Sequence, residues 1–165
     1  MIEHVADGLS LLDRVKIESE VLVPVLRRLR SELGAERANA LVAEALRDWQ
    51  RSVHEQIAAE TPGEDGWAKL GAMVAAKSPA IGDAIAIEWG RVDLPNAMEF
   101  KITRCAFAEL FRGLGEPDLG ALLTCEGDVH EVAAAGGGIA LTRTQTIMQG
   151  AACCDFRYGM VKAAR

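Results

Sequence analysis

Long apolar runs, stacking aromatics and clustered basic residues are all scarce in this chain, and each scarcity removes a class of function. No apolar run approaches the roughly 18 residues needed to span a bilayer. Met1-Ile2-Glu3-His4 is neither basic nor followed by an apolar signal core. A cytoplasmic location is therefore expected, with Cys105, Cys125, Cys153 and Cys154 reduced. Aromatic residues make up 5% of the chain and the net charge is -6. No basic stripe interleaved with stacking rings exists, so neither nucleic acid nor a membrane is expected as a partner.

Signatures of metals and cofactors are missing as well. There is no CxxC pair, no Cys/His alternation and no HExxH. His4 and His54 lack a ligand partner four residues on, and His130 is two residues from Asp128, which points it elsewhere on a helix. A metal held by Cys105, Cys125, Cys154 and Asp128 can be drawn, but no spacing rule supports it. Gly136-Gly137-Gly138 follows a helix and precedes a strand, the reverse of a nucleotide cradle. The expectation is no cofactor and no metal. Cys153 and Cys154 are adjacent, and neighbours in a strand point to opposite faces, which argues against a bridge between them.

What is present is enough for one domain over residues 1–165: half of the 165 residues are apolar, sufficient for a sizeable core. Residues 1–78 read as helical, with helices over 2–12, 18–33, 35–59 and 67–76. In the second, Val21, Val25, Leu29 and Leu33 share a face, Pro24 predicts a bend or a late start, and Gly34 suits the C-cap. In the third, Leu41, Ala45, Trp49, Val53 and Ile57 form a stripe. Lys77-Ser78-Pro79 is expected to close the fourth. The apolar stripes on several helices leave room for a homo-oligomer.

The pattern changes near residue 84. Residues 84–89 and 98–103 read as a hairpin, the second strand alternating Met98, Phe100 and Ile102 against Glu99, Lys101 and Thr103. Helices over 106–114 and 116–134 follow, then strands over 139–148 and 153–161. Helices, hairpin, helices, hairpin is the order of an α+β fold with an antiparallel sheet of about four strands. The part from 84 to 165 carries the residues with chemistry.

Those residues fall in two segments. Cys125 and Asp128 are three apart on a helix and share a face with Leu122 and Val129. Cys125 is either a small buried hydrophobe or a thiol with a carboxylate beside it. Cys105 sits where strand gives way to helix: the helix N-terminus favours its thiolate, unless it only fills the corner. In the last strand Cys154, Phe156, Tyr158 and Met160 share one face, and Cys153, Asp155 and Arg157 the other. Asp155 and Arg157 can simply pair on a solvated face. Arg143 and Gln145 share a side of the preceding strand, with Thr142, Thr144 and Thr146 opposite. Such polar residues are ordinary on an exposed sheet, and they also suit a small carboxylate held in an arginine fork.

Gly150 followed by Cys154-Asp155-Phe156-Arg157-Tyr158, with Arg143-Thr144-Gln145-Thr146 before it, resembles the closing signature of the L-2-amino-thiazoline-4-carboxylic acid hydrolase family. Arg104-Cys105 with Ala108-Glu109, then Leu114-Gly115 and Cys125-x-x-Asp128, is similar to that family's middle part, and Leu33-Gly34-Ala35-Glu36-Arg37-Ala38 to its N-terminal half. Two positions depart: Phe107 stands where many relatives have tyrosine, and Ala151 where an acid is common. The resemblance implies a hydrolase that opens a C–N bond of a small cyclic amidine bearing a carboxylate. On that reading Cys105 or Cys125, with Cys154 third, is the nucleophile and Asp128 the proton shuttle. Arg143 or Arg157 holds the carboxylate, and Thr144, Asp155 and Tyr158 complete the substrate-binding set. A looser likeness to vinyl-reductase-type, transport-particle-like domains implies the alternative, a small-molecule-binding or sensor domain without turnover.

Overall fold

The computed structural model describes residues 8–94 and 97–161. The helix expected over 2–12 lies mainly outside them. Helix α1 (Leu11–Leu33) opens at Ser10, whose hydroxyl oxygen accepts the Asp13 amide at 3.0 Å, and closes at Gly34, φ 80°. It runs through Pro24 unbroken, so the late start does not occur. Pro24 sits on the exposed side, while Val23 and Leu26 beside it are buried. Packing on both flanks holds the helix against a proline cost of about 3 kcal/mol.

The buried line of α1 is Val15, Ser19, Val23 and Leu26, whereas Val21, Val25 and Leu33 of the expected stripe are exposed. Helix α2 (Ala35–Glu60) repeats this shift: Ala38, Gln50 and Ala58 are buried while Leu41, Trp49 and Ile57 face outward. In both helices the covered face differs from the apolar line that spacing alone picks out, because the neighbouring elements decide which side is buried. Helix α3 (Gly66–Ile81) starts at Asp65, which accepts the Ala68 amide at 2.8 Å. It continues past the expected stop, since Pro79 falls in the last turn and Gly82 provides the cap.

Strands β1 (Ile85–Asp93), β2 (Ala97–Cys105), β3 (Ile139–Thr142) and β4 (Cys154–Met160) form one antiparallel sheet in the order β1-β2-β4-β3. Both expected hairpins are present, and β4 joins them. Directly paired residues share a face, so the rows Trp89–Phe100–Phe156 and Ile87–Ile102–Cys154 lie together. On β4 this face is buried: Cys154, Phe156 and Tyr158 cluster with Ala58, Leu70, Met73, Val132 and Ala135 from the helices. Glu88, Lys101, Thr103 and Arg157 on the opposite face are exposed.

Between β2 and β3 lie α4 (Ala106–Gly113), α5 (Pro117–Gly120), a π-turn (Ala121–Cys125) and α6 (Gly127–Ala135). The single helix expected over 116–134 is thus interrupted, and the Glu126 amide reaches back five residues to the Ala121 carbonyl at 2.9 Å. Phe107, Phe111, Leu119, Leu123 and Met148 join Val15, Val23 and Leu26 in a second cluster. Glu116, 4% exposed, ties this region to α1 through Arg27 (3.1 Å) and Arg30 (2.6 Å). The strand expected over 139–148 ends at Thr142. Beyond it the amides of Thr144 and Gln145 bond to the Asp155 side chain instead of a neighbouring strand.

Candidate functional site

The two apolar clusters meet at Ile147, which packs against both. Its amide donates to the Cys154 sulfur at 3.3 Å. Cys154 is on the inner face of β4, Cys105 is the N-cap of α4, and Cys125 is the last residue of the π-turn. Three separate elements therefore deliver three thiols to one neighbourhood. Asp128, in the first turn of α6, is felt by all three of them.

Arg143 organises this neighbourhood. Its Nη1 donates to Asp128 Oδ2 at 2.8 Å and its Nη2 to the Cys125 carbonyl at 2.9 Å. The guanidinium lies 5.1 Å above the Phe156 ring, a contact suited to its flat, weakly hydrated face. Phe156 stacks in turn on Phe100, ring centres 4.7 Å apart. The buried Tyr158 sits in the same electrostatic environment. Burial pushes its hydroxyl well above the ordinary phenol range, Asp128 and Glu131 add to the rise, and Arg143 opposes it.

All three thiols are held protonated at neutral pH. Burial pushes Cys125 up to about 11, with the Asp128 charge adding and Thr124 and Arg143 opposing. Burial also raises Cys154, against the pull of the Ile147 amide. Cys105 is raised by burial too. Its sulfur makes no capping hydrogen bond, yet the amides of Ala108 and Phe107 pull its pKa partly back. At Cys105 burial thus outweighs the pull of the helix-start amides on the thiolate.

Asp155, Thr144 and Arg157 lie apart from the thiols, on the other side of β4. Asp155 is 6% exposed and accepts from the Thr144 amide (2.9 Å), the Thr144 hydroxyl (2.7 Å) and the Gln145 amide (2.9 Å). Arg157 approaches it at 3.2 Å. Burial works against the charged carboxylate, but the Thr144 hydroxyl and the Gln145 and Thr144 amides outweigh it and hold Asp155 below its ordinary pKa. Cys153 is half-buried and accepts from Gln145 Nε2 at 3.1 Å. A shallow depression of about 190 Å³ lies on this outer face, lined by Glu88, Glu99, Lys101, Asp155 and Arg157 among others. Among the described residues, no three His, Cys, Asp or Glu side chains converge as a metal cage.

Gln50 and Phe156 belong to the neighbourhood although no motif in the sequence marks them as site residues. Gln50 had a signal: it continues the Ala38, Val42, Leu46 line at four-residue spacing, a polar group where an apolar one is due. Phe156 had none beyond its alternation with Asp155.

Architecture and site together define an α+β protein whose sheet is covered by helices on one face, with a thiol–carboxylate–guanidinium cluster beneath them. The chain matches the L-2-amino-thiazoline-4-carboxylic acid hydrolase family over residues 14–158, and it belongs to that family. No curated protein matches the chain. Among solved structures it is similar to the phenol-responsive sensory domain of the transcription activator PoxR, determined with phenol. That similarity has a TM-score of 0.49 and 14% identity, over 84% of this chain and 72% of that one. Among the described residues no helix is long and apolar enough to cross a membrane.

Proposed function

We propose that the protein is a hydrolase opening a C–N bond in a small cyclic amidine that carries a carboxylate, such as a 2-aminothiazoline-4-carboxylate. The observation that carries this reading is the gathering of Cys105, Cys125 and Cys154 around the Asp128–Arg143 pair. In the proposed step the Cys125 or Cys105 sulfur bonds to the amidine carbon and its proton passes to Asp128. Asp128 then returns that proton to the ring nitrogen as the C–N bond breaks. Water adds to the thiol-bound carbon, and the thiol leaves with a proton. Arg143 keeps further N–H donors beyond the two already engaged, enough to fork onto the substrate carboxylate.

Raised thiol pKa values set a condition on this scheme. A thiol with a pKa of about 11 is ionised to about one part in ten thousand at pH 7, so the base must act in concert with attack. The same observation favours a second reading, a small-molecule-binding domain in which the thiols line a site and turn nothing over. One experiment separates the two. The purified protein is incubated with 2-aminothiazoline-4-carboxylate, ring-opened product is followed by mass spectrometry, and binding is followed by calorimetry. Product that disappears in Cys105→Ala or Cys125→Ala supports the hydrolase. Full turnover in both variants rejects the thiol mechanism, and binding without product selects the second reading.

A further inference from the structure

We infer that Gln50 is a positioning residue for the Cys125 thiol, its carboxamide holding open the π-turn that carries the sulfur. A π-turn is costly to maintain because it shifts the backbone ladder and strands carbonyl groups. The Glu126 amide bonds the Ala121 carbonyl instead of Leu122, and both protons of Gln50 Nε2 fill the gap. One goes to the Leu122 carbonyl at 2.8 Å and the other to the Leu123 carbonyl at 3.0 Å. The turn is braced at its far end by Arg143 on the Cys125 carbonyl at 2.9 Å, and internally by the Thr124 hydroxyl on the Gly120 carbonyl at 2.7 Å.

The brace comes from outside the segment and is itself rigid. Gln50 is 3% exposed in the middle of α2, and its own carbonyl is bonded by His54 Nδ1 at 2.8 Å. No shorter or apolar side chain at this place supplies two parallel donors. The carboxamide oxygen is buried without a protein partner, so within the protein the side chain bonds through its N–H groups alone.

Without the two donors, the stranded carbonyls regain partners if the turn closes to the ordinary four-residue ladder. Removing the extra residue of a wide turn rotates the downstream helix by about 100°. That would swing Cys125 and Asp128 relative to Arg143. The inference rests on Cys125 being part of the working site, but its test needs no turnover.

The test compares the parent protein with Gln50→Met, similar in length and lacking donors. Alkylation of each cysteine by iodoacetamide is followed by peptide mass spectrometry from pH 6 to 11. The Cys125 profile is expected to move by at least one pH unit, a tenfold change in rate at fixed pH, while Cys105 and Cys154 hold theirs. If the protein is also shown to turn over an amidine, kcat should fall with little change in KM. A folded variant whose Cys125 profile overlays the parent's overturns the inference, and so does an equal shift of all three thiols, which would mean general loosening. Should Gln50→Met not fold, Gln50→Glu keeps the shape and loses the donors on ionisation. The same comparison then decides. Absence of turnover in the parent would defeat the hydrolase reading while leaving the alkylation result intact.

Discussion

Arg143 and Asp128 pair at 2.8 Å with side chains only 13% and 26% exposed, and the same guanidinium caps Cys125's carbonyl. This is a largely buried pair in which each charge faces its opposite across a single hydrogen bond. Arg143→Met should cost about 2–3 kcal/mol, because it leaves a carboxylate and a carbonyl short of donors. Combined with Asp128→Asn, it should lose less than the sum of the two single changes. Urea melts of the four proteins give the coupling, and strict additivity would mean the pair is only incidental.

Cys125 makes alkaline stability informative. Its native pKa of about 11 lies above the roughly 8.5 of an unfolded thiol. The neutral thiol's contribution is therefore complete below about pH 8.5 and is lost as the pH climbs toward 11. The loss approaches about 1.4 kcal/mol per pH unit in that window. Cys125→Ala should flatten this part of the stability profile, measured by denaturant melts from pH 7.5 to 11. Parallel profiles for variant and parent would refute the assignment.

Asp155 works with the opposite sign. Its native pKa is below the ordinary value, so its contribution is fully present above the unfolded value of about 4. It is lost as the pH falls through the native one. At neutral pH Asp155→Asn should lose about 2 kcal/mol, from charge-assisted bonds to Thr144 and Gln145. The gap in Tm between variant and parent should narrow on acidification to pH 2.5. A gap that is constant with pH would show that the carboxylate's charge is irrelevant there.

Glu116 is 5% exposed at its side chain, between Arg27 and Arg30. Glu116→Gln should destabilise by about 3 kcal/mol, since it leaves two cations facing a neutral group. The segment joining α4 to α5 should show it first, as faster amide exchange over residues 114–118.

Gly66 has no room for a methyl group. A Cβ there would meet the Gly136 carbonyl oxygen at 2.5 Å and Gly137 Cα at 2.9 Å, and both are backbone atoms with little freedom to yield. Gly66→Ala should lower stability by about 1–3 kcal/mol, read as a fall in Tm. An unchanged Tm would mean the glycine turn moves aside at no cost.

The hairpin and sheet were legible because alternation over Met98–Thr103 and around Phe156 follows the pleat residue by residue. The helices were legible as helices but not in their facing. Leu41 and Trp49 read as core although Ala38 and Gln50 are what the fold buries, since periodicity gives an axis of symmetry and not the identity of the neighbour. The π-turn left no trace in local spacing. Its donors come from Gln50, more than 70 residues away in sequence, so only the folded chain reveals it. Thr-rich residues 143–148 suggested strand, and the competing acceptor at Asp155 lay too far along the chain to be weighed against it. Residue type alone marks Cys105, Cys125 and Asp128. Their nearness to Cys154 is a product of β4 sitting between β2 and β3, which no motif spacing encodes.

The Asp155 anchor has a consequence for how the two sides of the sheet communicate. Asp155 fixes the chain at Thr144, and the preceding residue is Arg143, which reaches through to the thiols. The carboxylate, itself 6% exposed, thus sets from one side of β4 where the backbone releases a guanidinium that works on the other.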